Sequence, residues 1–142
     1  MERVISKKRV MVFGVFDRLH PGHISLLKQA AALGDELVVV VARDELVRQL
    51  KNKSPYYAQN ERLKAIQKVP SVTKAVLGDA VSSSYEVIKK YKPEVLALGY
   101  DQKELTQDIT QRMQEGDLPH TIHIVHLKSH RPNKLHSSLL RP

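Results

Sequence analysis

GVFDRLHPGH, residues 14–23, is the stretch that decides the fold of this 142-residue chain. Residues 10–13 before it form an apolar run, and apolar residues recur at helical spacing over residues 26–31. The pattern predicts a strand that enters a helix through this loop. Pro21 suits the first helical turn, where its missing N–H would have no partner, and Gly22 leaves room for a ligand.

His20 and His23 stand three residues apart at the predicted helix start. A helical first turn brings both imidazoles to one side, above N–H groups that have no partner and that favour anions. The pair is therefore predicted to bind phosphate; capping the helix or binding a transition metal are the alternatives. His120, His123 and His126 also recur every three residues, but in a predicted strand, where that spacing points side chains to opposite faces. We expect no metal site built from protein side chains.

Apolar runs alternate with helical patterns along the rest of the chain. Strands are predicted near 9–14, 36–42, 73–77, 94–98 and 121–126, and helices near 21–33, 58–68, 82–91, 102–114 and from about 137. The run LVVVV at 37–41 is typical of a parallel strand buried on both faces. We expect one α/β domain over 1–142, a Rossmann-like, doubly wound parallel sheet of about five strands with helices on both faces. Ligands of such sheets bind at the carboxyl ends of the strands. Residues 50–57 are the least regular and are predicted to form a mobile loop.

Composition restricts the class of protein and of partner. The chain has 23 Lys and Arg against 15 Asp and Glu, a net charge of +8 that favours an anionic partner. Aromatic residues make up only 5%, and no RNA-binding signature is present, so a nucleic-acid-binding module is the weaker interpretation. Without cysteine there is no disulfide and no thiolate metal site. No apolar run has the length of a membrane span or a signal peptide, and we expect a cytoplasmic protein.

HPGH after GVFD resembles the HxGH signature of the nucleotidyltransferase superfamily. Further segments resemble that superfamily in the same order: LGDELVVVVARDE (33–45), the basic pair Lys51 and Lys53, AVLGD (75–79), LALGYDQ (96–102) and HSSLLR (136–141). Within the superfamily, LALGYDQ is most similar to archaeal FAD synthases, which transfer the AMP of ATP to FMN. Glycerol-3-phosphate cytidylyltransferases, which use CTP to make a CDP-alcohol, are next. The chain lacks their R-T-x-G-I-S-T-T segment, and Val15 stands where a threonine is common.

The resemblance implies a role for each matching residue. The catalytic residues would be His20, His23, Lys51 and Lys53. The nucleotide and its phosphates would be bound by Gly14, Val15, Phe16, His20, His23, Gly99, Asp101, Ser137, Ser138 and Arg141. Apart from the resemblance, the acceptor is predicted to contact Tyr56 and Tyr100, which could stack on a ring, and Arg62, a cation beside a loop and helix start. Mg²⁺ or another divalent cation would bind through substrate phosphates. The resemblance also suggests a homodimer.

Several of these residues have a second interpretation. Lys51 and Lys53 could belong to a solvated loop, and Ser137 and Ser138 are also natural helix caps. Asp17 is interpreted as a turn residue that fixes the loop rather than as a ligand. The serines at 82–84 are predicted to cap the following helix.

Overall fold

A computed structural model describes residues 7–99 and 101–128 of the chain. The elements are β1 (Arg9–Gly14), α1 (Pro21–Ala31), β2 (Glu36–Val41), α2 (Asp44–Lys51), α3 (Gln59–Gln67), β3 (Lys74–Leu77), α4 (Glu86–Tyr91), β4 (Val95–Leu98), α5 (Lys103–Gln114) and β5 (His123–His126). The predicted helix from about 137 and the predicted site residues Tyr100, Ser137, Ser138 and Arg141 lie outside the described residues.

The five strands form one parallel sheet in the order β3-β2-β1-β4-β5. The chain builds outward from β1 through β2 to β3, and then crosses to the other side of β1 to form β4 and β5. The strand order therefore reverses between β1 and β4, which is the position where open α/β sheets bind their ligands. The predicted fold class is confirmed.

Both faces of the sheet are covered. Alternate residues of each strand point to opposite faces, so β1 contributes Val10 and Val12 to one core and Met11 to the other. The first core includes Leu27 of α1 and Ile66 of α3. The second core is closed by α4 and α5, with Ile88 and Ile109 among its buried residues. Within the described ranges, no helix has the length and apolar character needed to cross a bilayer.

Helix α2 was not predicted. It spans eight residues, of which only Val47 is buried, and it is stabilised by acidic residues in its first turn and basic residues in its last. A helix this short carries a weak periodic signal and depends on tertiary packing. Asn52, with φ 58°, ends it in the left-handed conformation. Lys51 is therefore the last helical residue, not part of a loop, whereas Lys53 follows in irregular backbone.

The predicted capping of α4 by the serines at 82–84 is wrong. The helix begins at Glu86, and its first N–H groups are bound by the carboxylate of Asp79. Asp79 Oδ2 accepts from Glu86 N at 2.9 Å and Oδ1 from Val87 N at 3.2 Å. A carboxylate serves better than a hydroxyl here, because it accepts two bonds and carries the charge that a helix start favours.

Candidate active site

A cleft of about 580 Å³ opens at the carboxyl ends of β1 and β4. It brings together predicted residues that are far apart in sequence: Gly14, Val15, Phe16, His20, His23, Lys51, Lys53, Gly99 and Asp101. The position coincides with the reversal of strand order. The HPGH loop forms one side, the segment after β4 a second, and the end of α2 with the following loop a third.

The two histidines of HPGH cap helix α1 reciprocally. His20 is the N-cap residue, and its Nδ1 accepts a hydrogen bond from Gly22 N at 3.0 Å. His23 reaches back so that its Nδ1 accepts from His20 N at 3.3 Å. The rings stack with their centroids 3.9 Å apart and their planes at 24°. Histidine thus takes both positions of a capping box, where Ser or Thr and Glu or Gln are usual.

Capping determines which nitrogen of each ring can meet a ligand. Because Nδ1 accepts a backbone N–H, it carries no proton, and the neutral ring is protonated on Nε2. Burial, assisted by the neighbouring His20, lowers the pKa of His23 against the opposing effect of Asp17. His23 is consequently neutral at pH 7. Capping and phosphate binding are compatible, since Nδ1 serves the helix and Nε2–H is left as a donor.

Asp17 ties the HPGH loop to the segment before α3. Its Oδ2 accepts from Tyr56 N at 2.6 Å and its Oδ1 from Tyr57 N at 2.9 Å. Burial opposes ionisation, but these two bonds and the charges of Arg62 and Arg18 outweigh it and lower the pKa of Asp17. Both oxygens of the carboxylate serve the fold, in agreement with its interpretation as a loop-fixing residue.

Arg62, predicted to contact the acceptor, is buried instead beneath the loop. It is 1% exposed, and its guanidinium donates from Nε to Tyr57 O at 2.9 Å, from Nη1 to Val15 O at 2.8 Å and from Nη2 to Asp44 Oδ1 at 2.6 Å. It does not line this cleft. Its geometry contradicts a direct acceptor contact and makes Arg62 a positioning residue that joins the HPGH loop to α2 and to the segment before α3.

Tyr56, also predicted to contact the acceptor, does not line the cleft. Tyr56 is 66% exposed, and the guanidinium of Arg18 lies over its ring, 4.3 Å from the ring centroid. Its backbone N–H contacts the HPGH loop through Asp17, but Tyr56 is not among the residues that line the cleft.

Gln102 is a site residue for which no role was predicted, although it belongs to the LALGYDQ segment. Its Oε1 accepts from Gly99 N at 2.7 Å, and its Nε2 donates to Phe13 O at 3.1 Å. One amide thus joins the ends of β1 and β4 on the floor of the cleft. A Cβ on Gly99 would lie 3.0 Å from Asp101 Oδ1, so that position is tightly packed.

A second cavity, of about 820 Å³, adjoins the cleft. The two share Phe13, Gly14, Val15, Asp101 and Gln102. Apolar side chains from several elements line the second cavity: Leu46, Leu50, Val81, Val87 and Leu105. Leu50 and Val81 are 75% and 66% exposed and place apolar surface at its rim. The sequence offered no short signature for this cavity, because its walls come from α2, α4, α5 and the loop after β3.

The described residues contain no group of three or more His, Asp or Glu side chains arranged to hold a metal ion. His123 and His126 lie at the two ends of β5, and both are exposed.

Comparison with known proteins relates the chain to one family over nearly its whole length. The profile of the family described as cytidylyltransferase-like matches residues 11–141. The FAD synthase of Aciduliprofundum boonei is 38% identical over 130 residues, which are 92% of this chain and 85% of that protein. The FAD synthase of Pyrococcus abyssi is 48% identical over 94 residues, 66% of this chain but 64% of that protein, so this match spans less than two thirds of its length.

A solved structure shares both the fold and substantial sequence. The lipopolysaccharide core biosynthesis protein of Thermoplasma volcanium superposes with a TM-score of 0.79 at 39% identity, covering 87% of this chain and 98% of the other.

Proposed function

This chain belongs to the cytidylyltransferase-like family of nucleotidyltransferases, and we propose that it transfers the AMP of ATP to FMN, with FAD and pyrophosphate as products. The resemblance to FAD synthases and the paired cavities both support this reaction.

The observation that carries the proposal is the histidine pair at the start of α1. His20 and His23 are stacked, have Nδ1 engaged by the backbone, and line the cleft where the strand order reverses. Their Nε2–H groups are two hydrogen-bond donors beside the positive end of a helix dipole. Donors positioned in advance stabilise the charge that develops on a phosphate in the transition state.

The chemical step needs little covalent assistance. An oxygen of the FMN phosphate attacks the α-phosphorus of ATP, a new P–O bond forms, and the bond from the α-phosphorus to the bridging oxygen breaks. The bond's electron pair leaves with pyrophosphate. The FMN phosphate is already ionised at neutral pH, so no general base is required. Orientation and charge neutralisation can then supply most of the acceleration.

The triphosphate would lie in the 580 Å³ cleft. Lys51 and Lys53 line it from the end of α2 and the following loop, where their ammonium groups can neutralise phosphate charge. We assign Asp101 to the ribose or base. Ser137, Ser138 and Arg141, which lie outside the described residues, are proposed to bind the β- and γ-phosphates by family resemblance.

Mg²⁺ would reach the site with the triphosphate, because it commonly binds through substrate phosphates and water. Asp17, the carboxylate beside His23 in the cleft, already gives both oxygens to the backbone of Tyr56 and Tyr57. The ion would neutralise charge on the phosphates, and we assign it no protein ligand.

The flavin ring would occupy the 820 Å³ cavity. Its volume lies within the range of about 300–1,000 Å³ that is usual for ligand sites. Since the two cavities meet at residues 13–15, a flavin in the larger one can extend its phosphate toward the α-phosphorus of ATP in the smaller. The apolar lining favours FMN over glycerol 3-phosphate, which has no ring to bury.

The test measures pyrophosphate release and FAD formation with ATP or CTP as donor and FMN or glycerol 3-phosphate as acceptor. Turnover with ATP and FMN alone is expected. Turnover only with CTP and glycerol 3-phosphate would contradict the proposal and favour cytidylyl transfer. Lys51→Ala and Lys53→Ala should reduce turnover, whereas Lys64→Ala on α3, which lines neither cavity, is the matched control.

A further inference from the structure

The mostly apolar second cavity contains one carboxylate that is held in place by hydrogen bonds. Asp108 of α5 accepts at Oδ2 from the hydroxyls of Ser83, at 2.8 Å, and Tyr85. All three residues line the cavity. Tyr85 is only 6% exposed, and both Ser83 and Tyr85 have positive φ, at 63° and 52°. Non-glycine residues seldom adopt this conformation, and such residues cluster at ligand sites.

The second oxygen of this carboxylate is still available. In the part of the chain that the structure describes, Oδ1 of Asp108 accepts no hydrogen bond, and Nε of the Arg112 guanidinium, its ion-pair partner, is 4.0 Å away. The side chain is 37% exposed, so a ligand in the cavity can reach it. The hydroxyls of Tyr85 and Ser83 lower the pKa of Asp108 despite some desolvation, and Arg112 acts in the same direction. The carboxylate is therefore an acceptor only, with no proton to donate.

A flavin ring matches this arrangement. Most of the isoalloxazine is apolar, but its pyrimidine end has one N–H, at N3, between two carbonyl oxygens. We propose that Asp108 accepts a hydrogen bond from N3–H of the flavin and is a specificity-determining residue of the acceptor site; the inference rests on the proposed function. Lys103 and Ser82, which also line the cavity, can donate to the flanking carbonyls.

Such a contact discriminates strongly between acceptors. A site built to pair with a substrate N–H rejects an analogue that lacks it, because the bound analogue covers the polar group of the site and leaves it without a partner. Tyr85 and Ser83 act on Asp108 rather than on the ligand. They hold the carboxylate in one orientation, so that Oδ1 is presented without an entropic cost at binding.

The test compares FMN with N3-methyl-FMN, which cannot donate from N3. For the unmodified protein, KM should be roughly 10- to 100-fold higher for the methylated compound than for FMN, with little change in the KM for ATP. In Asp108→Ala the ratio of the KM for N3-methyl-FMN to the KM for FMN should fall to about one, because the carboxylate that accepts from N3–H has been removed. Asp117→Ala is the matched control, since Asp117 pairs with Arg112 but does not line the cavity, and it should keep the ratio of the unmodified protein.

The ratio is measured within each protein, so partial unfolding of a variant does not alter it. A ratio near one in the unmodified protein would overturn the inference without any variant. An equally high ratio in Asp108→Ala and the unmodified protein would overturn it as well. Failure of the unmodified protein to make FAD from FMN at all would instead overturn the proposed function.

Discussion

Replacing Arg62 should lower the free energy of unfolding, because Arg62 joins the HPGH loop to α2 and to the segment before α3. Arg62→Met keeps much of the volume of the side chain but removes the guanidinium and its three hydrogen bonds, to Tyr57 O, Val15 O and Asp44 Oδ1. The Arg62 side chain is fully buried, whereas Asp44 is 24% exposed and can be partly rehydrated. The two carbonyls and the carboxylate, which are only partly buried, lose a donor that is itself fully buried.

The magnitude follows from these contacts. Breaking a buried ion pair by removing one partner costs about 3–5 kcal/mol. A hydrogen bond to a charged group contributes about 1.5–3 kcal/mol, so three of them would suggest more. Rehydration of Asp44 reduces the loss, and we expect about 3–5 kcal/mol for Arg62→Met, a large part of the about 5–15 kcal/mol stability of a typical domain.

The assay is urea unfolding followed by circular dichroism, with FAD synthesis measured at a temperature where the variant is folded. Arg48→Ala is the control, because Arg48 pairs with Glu45 on the surface of α2 and both side chains are about half exposed or more. Its loss should stay below about 1 kcal/mol. An Arg62→Met loss no greater than that of the control, with unchanged turnover, would refute the reasoning.

Three further predictions concern the helix starts and the histidine pair. His20→Asn should preserve the cap of α1, because asparagine is a strong N-cap residue, yet lower kcat by about 10²–10³ through loss of an Nε2–H donor; equal turnover would remove His20 from the catalytic residues. Because the pKa of His23 is lowered in the folded protein, its neutral form contributes stability that is complete above its ordinary value of 6.5 and is lost as the pH falls through the lower native value. Urea unfolding between pH 7 and 4 should therefore show a steeper acid loss than in His23→Gln, which keeps a capping side chain but does not titrate; parallel curves would contradict this. Asp79→Ala should lower the free energy of unfolding by about 0.5–2 kcal/mol, measured by thermal unfolding, whereas Ser82→Ala should change it little. A larger loss in Ser82→Ala than in Asp79→Ala would show that the serine caps the helix.

The sheet and its site loop were predictable because their signals are local. The run at 37–41 and the periodic pattern after Pro21 each lie within one element, and both predictions were confirmed. The cleft residues of the HPGH loop and of the loop after β4 were also predictable, since parallel strands present their carboxyl ends at one edge.

Other predictions failed where distant groups compete for a residue. Arg62 was expected to face the acceptor because it is a cation near a loop. In the structure all three of its guanidinium nitrogens donate hydrogen bonds to Asp44 and two backbone carbonyls. The serines before α4 were expected to cap it, but the carboxylate of Asp79, seven residues upstream of Glu86, binds the first N–H groups of the helix. Neither outcome can be read from spacing along the chain.

The sequence by itself determined the α/β class, the central strand and the start of α1 at the HPGH loop, because each signal comes from residues close together in the chain. Tertiary structure alone decided that α2 forms, that Gln102 joins β1 to β4, and that an apolar cavity with Asp108 in its wall lies beside the cleft of the HPGH loop. These features need side chains that are tens of residues apart to meet. Only the order of strands in the folded sheet brings them to the same edge.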